Sequence, residues 1–384
     1  MMIIKYKNIY ENLYVVKASN LLFLIAFISE ITLFSLKKFG ITLPHESLLL
    51  RVFCILFCLK IIMTRYTRAE WISILFCGIL GVIAYFSSER GIDTLFRAAA
   101  MIAASKNISR RSSFKILFFS FVLVDVWTIL QGFLGNQMLV DIRNYGRGTL
   151  EARYCFGFSH ANIFHFSMWS LITIFLYLYH EKLKLPHYVA LIAFNFVITF
   201  FTRSRTGFFL LLFTLILFAI FYTTNCALIL SRYLFGAGLF ILSLCLLLSF
   251  ITILFGTDFP LMGTINSLLT NRVQWAHEAV TSSFLSLFSI QGNELLIDMG
   301  FVRLIYSFGV VPAAIYIIAT VLLLWESTEN KDYAAFIFLL TSIIYTTFEA
   351  QQINSDIAFN YTLLLLFGKW PAFAQIIHIS NKKN

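Results

Sequence analysis

The stretch HYVALIAFNFVITFFTRSRTGFFLLLFTLILFAIFYTT, residues 187–224, decides the fold. It holds two apolar runs, 187–202 and 206–224, separated only by a short polar turn with two arginines. Each run is close to the ~20 residues an α-helix needs to cross the hydrocarbon of a bilayer. Neither alternates polar with apolar, as a barrel strand would, and backbone groups in lipid must be paired within their own segment. Both runs are therefore expected to be membrane-spanning helices joined by a tight return.

Ten further runs read the same way: 18–36, 47–63, 71–87, 91–105, 114–134, 160–180, 232–255, 302–325, 333–350 and 355–377. The expected fold is all-α, a polytopic membrane protein of about twelve spans forming one integral domain over residues 1–384. Composition agrees. The 384 residues are 59% hydrophobic and 12% charged, with mean hydropathy +0.83, which excludes a soluble enzyme. With 43 Phe, 17 Tyr and 6 Trp the chain is too aromatic to be disordered and suits lipid-facing helices with interfacial belts. A net charge of +10 would raise nucleic acid as a partner in a soluble chain. Here the charges fall mostly between apolar runs and report topology, so no nucleic-acid partner is expected. The polar lead before residue 18 lacks a small-residue cleavage pattern, so the first run reads as an anchor.

Cys54, Cys58, Cys77, Cys226 and Cys245 lie in or beside apolar runs, which leaves Cys155 without a loop partner; no disulfide framework follows. Cys54 and Cys58 share a helical face, but without a nearby His or carboxylate they read as packing residues. No metal and no cofactor is expected.

Twelve spans put both termini on one side. The opposite side holds Lys37, Lys38, Arg90, Arg143, Arg147, Arg153, Arg203, Arg205, Arg272 and Arg303. Arg51, Lys60 and Arg97 lie within spans, and the other sixteen of the 29 basic residues fall with the termini, which are therefore expected to be cytoplasmic. Eight of the ten outer cations are Arg. Lysine offers a phosphate a hydrated point charge, whereas guanidinium is a planar fork that stays ionised and can grip two oxygens. Single loop arginines also snorkel to lipid head groups, but these cluster.

Arg203 and Arg205 stand two apart in the turn of the opening stretch, with Ser204 and Thr206 as extra donors and Gly207 opening the next helix, where free N–H groups also favour an anion. A pyrophosphate has the right size. The loop 135–159 carries Arg143, Arg147, Glu151 and Arg153 and reads, with its glycines, as an ordered but irregular segment. Where apolar character resumes, His160 and Asn162 are site candidates, while His165 reads as a core histidine. The loop 256–301 is 46 residues long, too long for a mere connection. Within it NRVQWAHEAVTSSFLSLF places Val273, Ala276 and Val280 on one helical face, with Arg272, Trp275 and Glu278 elsewhere. Asp298 and Arg303 follow at the start of the next span; Asp298 reads either as a helix N-cap or as a catalytic group.

In order along the chain, GFSHAN at 157–162, SRTG at 204–207, R-x-x-W-A at 272–276, I-D-x-G-F at 297–301 and YSFGVVP at 306–312 resemble the oligosaccharide repeat unit polymerases of the O-antigen polymerase and ligase superfamily. The resemblance covers residues ~140 to 325 and rests on motif order, each motif being short. It implies an inverting, metal-independent glycosyl transfer on the outer face of the bacterial cytoplasmic membrane. A glycan on undecaprenyl pyrophosphate is passed to another lipid-linked repeat, building a capsular or other surface polysaccharide. The flippase and chain-length regulator of such a pathway are the implied protein partners. On this reading Arg203, Arg205 and Arg272 stabilise the departing lipid pyrophosphate. Asp298 or His160 is the base toward the acceptor hydroxyl. Arg147, Glu151, Arg153, Asn162, Trp275 and Arg303 bind sugar or orient the first group. Related ligases carry a histidine where this chain has Asp298, so the family's base does not transfer by identity. Ligation of the glycan to another acceptor is the nearer alternative, and a transporter using Glu30, Arg51, Arg97, Asp125 and Glu349 the more distant one. Against transport, the two halves show no repeat.

Overall fold

The structure is a computed structural model and describes residues 13–38, 43–87, 93–144, 149–224, 233–282, 284–288, 297–353 and 360–368. Helices dominate. Eight of them are long and apolar enough to cross a membrane: α1 (Leu13–Lys38), α3 (Arg68–Ser87), α5 (Arg110–Phe133), α6 (Ala161–Tyr179), α7 (Leu185–Thr202), α8 (Arg205–Thr223), α9 (Leu234–Phe255) and α13 (Val310–Glu329). The other expected spans are helical but short. α2 (Glu46–Ile62) has 17 residues, α4 (Thr94–Ala104) 11 and α14 (Tyr333–Phe348) 16. The last appears within the described residues only as α15 (Tyr361–Leu365). Two short helices, α10 (Pro260–Leu268) and α11 (Arg272–Thr281), occupy the long loop, and α12 (Gly300–Arg303) follows it.

Helix boundaries follow local chemistry. Ser109 caps α5 by accepting from the Ser112 amide, Asp332 caps α14 through Ala335, and Pro186 lies in the first turn of α7. Between α7 and α8 the chain reverses at Arg203, which takes the left-handed conformation with φ 52 and so ends one helix one residue before Ser204 precedes the next.

α14 is the axis of the bundle. Thirteen of its residues are buried, and it packs on α6, α8, α9 and α13, the surroundings expected for a helix that is apolar all round. Around it Trp169 contacts Tyr345 at 4.7 Å and Phe338 contacts Tyr361 at 5.3 Å. The outer helices instead expose apolar side chains such as Phe76, Leu123, Phe200 and Phe240, a surface suited to lipid. In the N-terminal helices Glu30 and Arg97 are fully buried and face one another at 3.7 Å, with the Arg97 guanidinium over the Phe34 ring.

Two expectations need correction. The 135–159 segment is regular, not irregular: β1 (Val140–Asn144) and β2 (Leu150–Tyr154) form an antiparallel hairpin, with Asp141 opposite Arg153 and Arg143 opposite Glu151. The expected span 302–325 is broken. After α12, residues Leu304–Phe308 form a π-helical turn, and Gly309 at φ 99 ends it before α13 begins. The amides of Val310 and Val311 are satisfied by the carbonyls of Ser286 and Leu287, so the loop itself caps α13.

The base of the hairpin is locked to α5 by glycine. Gly157 sits at φ +86, and a Cβ there would overlap the carbonyl oxygen of Thr128; a Cβ on Gly132 would in turn lie 2.6 Å from the Gly157 nitrogen. Gly157→Ala is expected to cost on the order of 3 kcal/mol from strain and overpacking together. Gly135→Ala, also at positive φ but with open space around it, should cost only about 1 kcal/mol. Thermal unfolding of the two variants in one detergent checks this, and equal losses would remove the packing argument.

Candidate functional site

Contacts between elements assign the loops to two ends of the bundle. At one end Arg110 pairs with Glu326 at 3.1 Å, Arg111 donates to the Leu178 carbonyl, and Lys106 pairs with Glu70 at 2.6 Å. The other end gathers the hairpin, the starts of α6 and α8, the long loop and the end of α14. There Tyr154 of β2 meets Phe201 at 5.3 Å, His165 packs on Gly207, and Arg272 reaches the end of α14.

Most of the expected site residues fall at this second end. Arg203 and Arg205 are exposed, and neither has a carboxylate partner among the described residues. Gly207, expected to open the next helix, lies in the first turn of α8, which begins at Arg205, and the His165 ring packs against its Cα, 2.5 Å from where a Cβ would be. His165 is fully buried with Nδ1 at 3.3 Å from Thr202 Oγ1, the core role expected of it.

His160 is the N-cap of α6, and its Nδ1 accepts from the Asn162 amide at 3.1 Å. That bond fixes the neutral tautomer with its proton on Nε2. Burial pushes the imidazole down to about 4, helped by Arg143 and Arg153 and opposed by Asp141 and Asp298. The unfolded state therefore binds the extra proton between about pH 6.5 and 4, and stability falls as pH drops through that window. His160→Asn, which keeps a capping side chain, should flatten the slope of thermal stability between pH 7 and 4; an unchanged slope would remove His160 as its source.

The hairpin carries four charges on one face: Asp141 and Arg143 on β1, Glu151 and Arg153 on β2. Arg153 is buried and donates to Glu151 Oε2 at 2.9 and 3.2 Å, and Arg143 pairs with Asp141 at 2.5 Å. Asp141 is not among the residues expected at the site; the period-2 spacing in DIR and EAR is its signal in the sequence. Arg147 lies outside the described residues.

α11 forms as expected, with Val273, Ala276 and Val280 buried. Arg272 is buried beside them, with Nη1 at 2.6 Å from Glu349 Oε1, donating also to the Phe348 carbonyl at 2.6 Å, and with Nε at 3.9 Å from Asp298. Burial alone would lower its pKa, but Glu349 and Asp298 outweigh it and the guanidinium is held more firmly protonated than usual. Asp298 is mostly exposed and is not a helix cap, since Met299 holds that position without a side-chain bond. Trp275 is exposed on α11, Arg303 is half-buried in α12, and Asn162 is half-buried in the first turn of α6. Glu349 is the important omission from the expected site: a lone acid closing an apolar run is its only signal, and its pairing with an arginine in a distant loop has none.

Eight helices of this length and apolarity among the described residues are those of a multi-pass membrane protein, and charged and polar side chains gather at one end of its bundle. No family model, curated protein or solved structure matches the chain.

Proposed function

We propose that the protein is a glycosyltransferase that polymerises undecaprenyl-pyrophosphate-linked oligosaccharide repeat units on the outer face of the bacterial cytoplasmic membrane. The observation that carries this is the pair Arg203 and Arg205, two exposed guanidiniums without carboxylate partners among the described residues, at the end of the bundle shared with His160 and Asp298. Two guanidiniums two residues apart in a turn can share one anion that bridges them. A departing diphosphate would meet them at the depth where α7 and α8 leave the hydrocarbon, and they would stabilise its charge as the anomeric bond breaks. Arg272, already engaged by Glu349, Phe348 and Asp298, takes a positioning role: it holds the long loop so that Asp298 faces the site. Asp298 is exposed and suited to take the proton of the acceptor hydroxyl. His160, with its proton on Nε2, donates to a sugar or phosphate oxygen.

About twelve spans, cytoplasmic termini and a flippase and chain-length regulator as partners belong to the same proposal. The buried charges a transporter would use have partners inside the bundle: Glu30 faces Arg97, and Asp125 accepts from Ser167 at 2.5 Å. The test is to incubate the purified protein with a single lipid-linked repeat unit, with and without a chelator. A ladder of lengthening products in both arms is expected. A single transfer to a different acceptor would make it a ligase, and no product at all would overturn glycosyl transfer.

A further inference from the structure

The hairpin is built inside out. In a sheet lying over a water-soluble core, the apolar side chains face the protein and the charged ones face solvent. In this register the positions alternate the other way. On the charged face Asp141, Glu151 and Arg153 are covered and Arg143 is half exposed, while Ile142, Leu150 and Tyr154 on the opposite face are 66%, 76% and 37% exposed, with Ala152 and, next to the turn, Asn144 exposed beside them. A one-residue slip would exchange the two faces, so the register that sets Asp141 opposite Arg153 and Arg143 opposite Glu151 is the one that leaves this face outward. The apolar face also does not stand alone. Tyr154 packs on Phe201 at the end of α7, next to the exposed Phe200, and the chain enters the hairpin from the exposed Phe133 and Leu134 at the end of α5. It continues the apolar surface that these two helices present along their length. Arg203, two residues beyond Phe201, marks where that surface gives way to charge.

We propose that the β1–β2 hairpin lies in the bilayer interface, with Ile142, Leu150 and Tyr154 against phospholipid acyl chains and the charged face turned toward the site. Two aliphatic side chains and one tyrosine suit that depth, since tyrosine places its ring in the apolar margin and its hydroxyl among head groups. The immersion would hold Glu151 and Arg153 at the level of a lipid-borne phosphate without a covering domain. The inference rests on the membrane setting alone and stands whether or not the protein polymerises glycans.

The unmodified protein tests it. In nanodiscs holding one copy each, phosphatidylcholine with a photoactivated carbene source at the acyl terminus is irradiated, and a parallel sample is exposed to hydroxyl radicals; both are mapped by peptide mass spectrometry. Carbene adducts on residues 140–154 at a level within about threefold of those on the α7 peptide containing Phe200 are expected, together with little oxidation of Ile142, Leu150 and Tyr154. Strong oxidation without adducts would place the face in water. Neither adducts nor oxidation would mean that protein covers it. Either result overturns the proposal, and neither bears on whether glycan ladders form.

Discussion

Replacing Glu349 with Gln is expected to destabilise the protein by about 3–5 kcal/mol, the cost of stranding a buried cation. Arg272 is only 8% exposed, and its Nη1 lies 2.6 Å from Glu349 Oε1. The neutral amide cannot balance the charge, and Asp298, 3.9 Å away and mostly in solvent, is too far and too well screened to substitute. The loss should appear as a large drop in thermal stability in detergent, with proteolysis opening first in the segment around α11, because the pair ties that helix to the end of α14. A double variant, Arg272→Met with Glu349→Leu, removes both charges and replaces them with side chains of similar bulk. It should recover most of the stability, since no buried charge is then left without a partner. A Glu349→Gln protein as stable as the parent would show that the pair contributes nothing to holding the long loop.

The pairing also explains what could be read from sequence and what could not. Helical runs were legible because lipid imposes length and apolarity on each segment by itself, as the two runs around Arg203 and Arg205 illustrate. The amphipathic helix carrying Val273, Ala276 and Val280 was legible for the same reason: its period is written within ten residues. Position within the bundle was less so. α14 has the composition expected of a span, but its place at the centre of the bundle was not legible, because apolar residues facing protein and apolar residues facing lipid read alike. The hairpin was missed because glycines at 146 and 148 suggested an irregular loop, whereas the D-x-R and E-x-R alternation on either side carried the strand period. The break at Gly309 depends on carbonyls of Ser286 and Leu287 more than twenty residues away, and nothing local announces it. Arg272 reads from sequence as a free anion-binding group, because its partner Glu349 is distant along the chain and reads only as a charge inside an apolar run.

That difference in partnering makes Arg203 and Arg205 the decisive test of function. Arg272 is embedded in protein contacts, so its removal would disturb fold and activity together and would separate nothing. Arg203 and Arg205 are exposed and lack carboxylate partners among the described residues, so Arg203→Ala and Arg205→Ala should leave thermal stability within about 0.5 kcal/mol of the parent. Elongation of lipid-linked repeats should nevertheless fall by about 10²–10³ for each, the loss typical of removing one preorganised group from a developing oxyanion. Because Arg203 also occupies a left-handed position at φ 52, Arg203→Asn is a cleaner partner to the alanine variant, as Asn adopts that backbone more readily. Lysine at either position keeps the charge but not the planar fork, and should restore only a small part of the rate. Full rescue by Lys would reduce the site to a point charge. Near-normal product length in both Ala variants, with stability intact, would mean that the guanidiniums face lipid head groups and that the pyrophosphate leaves elsewhere.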